Sequence, residues 1–170
     1  MLPETAAIDA EAQRSAACCD LVRSVARSHG EVRLMVTGSS MLPAVWPGDE
    51  ITVTRCEYTE LRAGQIVLYS RNAGLAAHRI ERITRDYLVA RGDSLLSADP
   101  PVLPGEIVGR VESILRHGSG IRPEPSSVGR IASPILRHSD LSRRIALSLA
   151  RCMSRRHGWF LRRSEEMQAS

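Results

Sequence analysis

From residue 32 to residue 111, apolar residues recur in short bursts at every second position, and turn-forming residues separate one burst from the next. Val32, Leu34 and Val36 alternate with Arg33 and Met35, and Ile51 and Val53 alternate with Thr52 and Thr54. A period of two places one set of side chains on one face of a pleated strand, which a helix cannot do. Ile66–Tyr69, Leu75–Ile83, Tyr87–Ala90 and Ile107–Val111 supply four more runs of strand length. Pro47-Gly48-Asp49, Ala63-Gly64 and Asn72-Ala73-Gly74 read as tight turns, and residues 92–104 as a polar, proline-containing loop. Short strands joined by turns predict a mainly β fold, an antiparallel barrel-like domain spanning residues 31–116. With one Phe, two Trp and three Tyr in 170 residues, its core must be built from Val, Ile, Leu and Ala.

The flanks differ in composition. Residues 9–28 are Ala-rich and amphipathic, with Asp9 as an N-cap and His29-Gly30 as a stop, so residues 1–30 are expected to form an N-terminal helix. Residues 117–130, HGSGIRPEPSSVGR, read as a linker, and residues 131–170 as a basic helical tail. Within that tail, residues 139–163 set Leu141, Ile145, Leu149, Cys152 and Phe160 near one face and five arginines on the others. Residues 1–115 carry 12 Arg against 15 acids, a net of −3, whereas residues 116–170 carry 11 Arg against 4 acids, a net of +7. The positive charge therefore belongs to the tail, which suits an anionic membrane surface, a nucleic acid or an acidic partner, or simply a solvated helix face. Ending in Trp159-Phe160, the stripe fits peripheral membrane contact through residues 139–163. No internal repeat is present.

Cys18, Cys19, Cys56 and Cys152 form no C-x-x-C pair and have no histidine at zinc-finger spacing, so neither a metal nor a cofactor is expected. They read as reduced thiols. No run approaches 18 apolar residues, and the N-terminus carries Glu4, Asp9 and Glu11 where a secretory signal would be basic and then apolar. A cytoplasmic protein without a transmembrane helix is expected.

Ser40 stands in a Gly-Ser-Ser turn between a strand and a proline-limited segment. A serine hydroxyl needs a base to take its proton and donors to receive the developing oxyanion. A backbone N–H in such a turn can be one of those donors. Of the five histidines, only His78 lies on a predicted strand inside the β domain. Asp93 and Asp99, in the loop that follows, are both candidates to orient it, although Gly-Asp and Asp-Pro pairs are also common turn chemistry.

These residues carry a resemblance. Val36 to Asp49, VTGSSMLPAVWPGD, resembles the catalytic box of the signal peptidase I superfamily, which shares its fold with LexA-type self-cleaving repressors. GQIVLY (64–69), AHRIERI (77–83), RGDSLLSAD (91–99) and GEIVGRV (105–111) resemble the later boxes, in order, of the endoplasmic-reticulum and archaeal type. The resemblance implies Ser40 as nucleophile, His78 as general base, Asp99 as its orienting acid and Asp93 as support. The bacterial branch uses a lysine base, which is unavailable here because every basic residue is Arg. Gly38 stands where relatives often have a serine, so the oxyanion hole is expected to rest on backbone N–H groups, those of Ser39 and Ser40. The family's membrane anchor has no counterpart before the box.

The function expected is that of a serine endopeptidase cleaving a peptide or precursor protein after small residues. Two alternatives belong to other classes: an inactive binding module of the same fold, and a repressor-like regulator. A nucleic-acid partner is the weaker expectation, because residues 1–31 offer one helix where a helix-turn-helix needs two, and aromatic residues are scarce.

Overall fold

The computed structural model describes residues 3–72 and 74–123, and the tail with most of the expected linker lies outside them. The chain opens with helix α1 (Pro3–His29), which starts before the expected Asp9 cap, so Asp9 falls within the helix. Proline at the first helical position has no N–H to leave unpaired, and the alanines that follow carry little propensity cost. Gly30, at φ 78, ends the helix through an N–H bond to the Ala26 carbonyl. Cys19, Val22 and Ala26 form its buried stripe. As α1 is one continuous helix, no helix-turn-helix forms there.

Seven antiparallel strands follow: β1 (Glu31–Met35), β2 (Glu50–Thr54), β3 (Ile66–Arg71), β4 (Gly74–Ile83), β5 (Leu88–Arg91), β6 (Ile107–Arg116) and β7 (Ser119–Ile121). They make a single sheet in the order β1-β2-β6-β3-β4-β5, with β7 paired to β6. The expected mainly β domain with an N-terminal helix is thus present, but the sheet is not closed into a barrel: β1 and β5 stand at its two ends and do not pair with each other. Alternation alone does not separate the two outcomes, since an open curled sheet and a closed barrel alternate alike. β6 also outruns its expected end at Val111, and a two-residue turn at His117-Gly118, both at positive φ, folds β7 back onto it. The first residues of the expected linker therefore belong to the sheet.

β3 is buried on both faces, which explains its unbroken apolar run. Ile66 and Leu68 join Val22 and Ala26 of α1, with Ile51, Val53, Val111 and Ile114, in one core. Val67 and Tyr69 point the other way, into a second core with Leu61, Ile80, Leu88, Ala90 and Val102. Truncating a fully buried member such as Ile66 to alanine costs roughly 2–5 kcal/mol. Among the described residues, no helix is long and apolar enough to cross a membrane.

Candidate active site

β1 hands the chain to the serine turn in a fixed direction. Val36 still pairs with the β2 side, donating to the Asp49 carbonyl at 2.8 Å and accepting from the Gly48 N–H at 2.7 Å. A single helical turn follows, with the Leu42 N–H on the Ser39 carbonyl and the Val45 N–H on the Met41 carbonyl. Met41, Leu42 and Val45 anchor this turn in the interior, leaving Ser40 at its start. Asp49 closes the box from behind. Buried, it accepts from the Trp46 N–H at 2.7 Å and from two nitrogens of Arg116 at 2.9 and 2.7 Å. Asp49 therefore braces the turn and takes no part at the hydroxyl.

His78 is brought to Ser40 by β4, where it lies opposite Val67 and is 8% exposed. Its Nε2 is 2.9 Å from Ser40 Oγ, and its Nδ1 is 2.6 Å from Asp99 Oδ2. Asp99 is placed by its own N–H, which donates to the Ala90 carbonyl at 2.8 Å. Arg71 holds the next two residues by their carbonyls, those of Pro100 and Pro101, and pairs with Glu106 at 3.0 Å. Burial raises the Glu106 carboxyl, but bonds from Arg71 and the Leu103 N–H outweigh it and hold the group below the ordinary carboxylate range. One proton arrangement satisfies every contact: Nδ1–H donates to Asp99, and Nε2 accepts from the Ser40 hydroxyl.

The two candidate acids have different places. Asp99 meets the imidazole. Asp93 does not: it takes a bidentate pair from Arg79, Nε to Oδ1 at 2.9 Å and Nη2 to Oδ2 at 2.8 Å. Arg79 also donates to the carbonyls of Gly64 at 2.7 Å and Pro123 at 3.1 Å. Its role in the expected support is thus to fix the turn after β5. With the pair's side chains only 14% and 11% exposed, Arg79→Ala removes the bidentate partner of a buried carboxylate. A loss of about 3–5 kcal/mol in urea unfolding is expected, and a loss below 1 kcal/mol would show that water replaces the guanidinium.

The turn that Asp93 fixes grips Ser40. The N–H and hydroxyl of Ser94 both reach the Ser40 carbonyl at 2.9 Å, and the hydroxyl also reaches the Ser39 carbonyl at 3.1 Å. A Cβ on Gly92 would stand 2.6 Å from the Ser40 oxygen, so only glycine permits this approach. With the Ser40 carbonyl held on this side, its N–H and that of Ser39 make no backbone hydrogen bond among the described residues. N–H groups so placed can act as hydrogen-bond donors to a bound oxyanion.

A cleft of about 390 Å³ opens beside Ser40 and His78. Leu34, Val36 and Gly38 form one wall, Leu75 and Ala77 another, and Cys18 and Val22 of α1 reach it from above. β1 pairs only with β2, and residues 74–78 of β4 pair only with β3, so each wall has a side of backbone with no strand partner among the described residues.

Sequence reasoning passed over Tyr69, Arg79 and Ser94. The Tyr69 hydroxyl donates to Asp99 Oδ2 at 2.8 Å and lies 3.2 Å from His78 Nδ1. Alternation could have found it: Val67 is the cross-strand partner of His78, so the residue two further along β3 shares that face. Burial, the bond to Asp99 and its negative charge push the Tyr69 phenol well above its ordinary range, which keeps it a donor. Cys18, Cys19 and Cys56 form no disulfide among the described residues. Neither a protein-family model nor a curated protein matches the chain.

Proposed function

We propose that this chain is a serine endopeptidase of the signal-peptidase kind, in which Ser40, His78 and Asp99 carry out acyl transfer. The observation that carries the reading is the continuous relay from Ser40 Oγ to His78 Nε2 at 2.9 Å and from His78 Nδ1 to Asp99 at 2.6 Å. Such a relay makes a serine hydroxyl nucleophilic near neutral pH. The chain has no lysine to act as the base, and the side chain that reaches Ser40 Oγ is His78.

Ser40 Oγ attacks the scissile carbonyl carbon as His78 Nε2 takes its proton. The carbonyl electron pair moves onto oxygen, and the N–H groups of Ser39 and Ser40 receive the charge. Collapse of this intermediate expels the amine, which leaves with the proton returned by His78. The acyl-serine ester is then hydrolysed by water that His78 deprotonates, and Ser40 regains its proton. Asp99 stays ionised and balances the imidazolium in both halves. Because a protonated His78 cannot begin the cycle, activity falls toward acid.

The substrate is an extended peptide. Lying in the cleft, it meets unpaired backbone on the β1 and β4 walls, as added strands do. Cleavage after small side chains follows from the resemblance. A fluorophosphonate probe tests the chemistry directly: it should add to Ser40 stoichiometrically near neutral pH, and a folded protein that stays unlabelled is a binding module of the same shape.

Cytoplasmic location and attachment to anionic membranes through residues 139–163 belong to the same proposal and lie outside the described residues. Sedimentation with anionic vesicles, weakened by salt and lost on truncation after Arg130, is the expected result; full-length protein left in the supernatant at low salt rules the attachment out.

A further inference from the structure

The relay does not end at Asp99. We propose that Tyr69 is its fourth member, a positioning residue that directs Asp99 onto His78 and weakens the pull of the carboxylate on the imidazole proton. The inference concerns the site proposed above and rests on that reading only for its effect on rate.

Tyr69 and His78 address the same atom. The phenol O–H reaches Asp99 Oδ2 at 2.8 Å, and the imidazole Nδ1 reaches it at 2.6 Å. A carboxylate oxygen that accepts two donors is held in the plane both require, so Asp99 cannot rotate without breaking both bonds. The two rings meet edge to face, with centroids 6.1 Å apart and planes at 68°, so neither slides past the other. The phenol also lies 3.2 Å from Nδ1, close enough to offer its proton there instead. That alternative would leave Nε2 protonated and unable to accept from Ser40. It is disfavoured because it would set a bare Nδ1 lone pair against Asp99 at 2.6 Å. Tyr69 thus has one productive use for its proton, and using it selects the tautomer that catalysis needs.

The electrostatic consequence has a definite sign. A donor on Asp99 draws negative charge away from the face presented to His78, so it lowers the stabilisation of the imidazolium. The other charged groups around the ring are already matched: Arg79 with Asp93 beside it on β4, and Arg71 with Glu106 behind Tyr69. From α1, the neighbour lining the same cleft is the thiol of Cys18. The remaining contact, Ser40, carries no charge. Removing the Tyr69 hydroxyl therefore leaves Asp99 as the uncompensated charge facing His78.

Nitrogen-15 NMR of histidine-labelled full-length protein reads this without requiring turnover. In wild type, the His78 signals should report the Nδ1–H tautomer at high pH. In Tyr69→Phe the midpoint of the His78 titration should rise by about half to one pH unit. The acid limb of fluorophosphonate labelling should move up with it, while labelling at the plateau slows about tenfold as Asp99 loses its second anchor. Biosynthetic replacement of the three tyrosines by 3-fluorotyrosine keeps the shape and makes the phenol a stronger donor. It should move the midpoint down, which covers the case in which Tyr69→Phe does not fold. A midpoint unmoved in the folded variant, or one moved the same way by both changes, overturns the role given to Tyr69. Opposite shifts in a wild-type protein that never labels would sustain the role and overturn the peptidase.

Discussion

Replacing Ser40 by alanine lowers peptide hydrolysis by at least about 10⁴-fold, because the remaining oxyanion donors and binding contacts have no nucleophile to assist. The fold should hardly register the change. Among the described residues the partner of Ser40 Oγ is His78 Nε2, and losing one such hydrogen bond costs about 1 kcal/mol. The Ser40 carbonyl, which Ser94 holds twice, is backbone and survives the substitution. Ser39→Ala serves as the control: its side chain is outside the relay, and activity should stay within a few-fold of wild type. Loss of hydrolysis in Ser39→Ala with retention in Ser40→Ala would transfer the nucleophile to the neighbouring residue. Thermal melts beside the rate measurements separate chemistry from unfolding.

Asp99→Asn is expected to slow turnover by about 10³-fold. Tyr69 determines why the figure is not larger. An asparagine here can place its carbonyl where Oδ2 now lies, because two donors converge on that point, so the amide nitrogen is directed away from the imidazole and the tautomer is kept. What disappears is the charge. An imidazolium and a carboxylate about 4 Å apart at an effective dielectric of about 20 gain about 4 kcal/mol, which is about 10³ in rate. Adding Tyr69→Phe to Asp99→Asn frees the amide to turn its NH₂ toward Nδ1, and the combined loss should approach 10⁴-fold. Asp99→Asn within tenfold of wild type would remove Asp99 from the chemistry.

The parts of this molecule that were legible beforehand are those governed by local rules. Alternation marked β2 because Ile51 and Val53 are buried while Thr52 and Thr54 are partly exposed. Pro47-Gly48 announced its turn because Gly48 adopts φ 92, which few other residues accept. Ser40, His78 and Asp99 were legible as a set through motif order rather than spacing, since 38 and 21 residues separate partners that touch. Long-range packing was not legible. Nothing local in VESILR announces that β6 must continue beyond Val111 to pair with β2 and receive β7. Arg79 reads as the neighbour of a histidine, yet its partner is an acid 14 residues away whose own candidacy as the orienting group concealed the pairing. Barrel closure was expected because strand signals carry no information about which edges meet.

The segment from Gly92 to Asp99 connects two parts of the site that are otherwise independent. At one end Gly92 and Ser94 press on the Ser40 carbonyl, and at the other Asp99 is tied to the Ala90 carbonyl and aimed at His78. Between them Leu96, Ser97 and Ala98 face solvent, with Leu96 69% exposed. A surface span of this kind normally accepts insertions and deletions, because loop closure grows only slowly more expensive with length. On the proposed mechanism the number of residues is itself a catalytic parameter. Each residue added or removed must displace either the clamp on the nucleophile or the acid behind the base, whereas the identities at 96, 97 and 98 are free to drift. The span behaves as a gauge block between two machine parts, indifferent to its finish and intolerant of any change in its length.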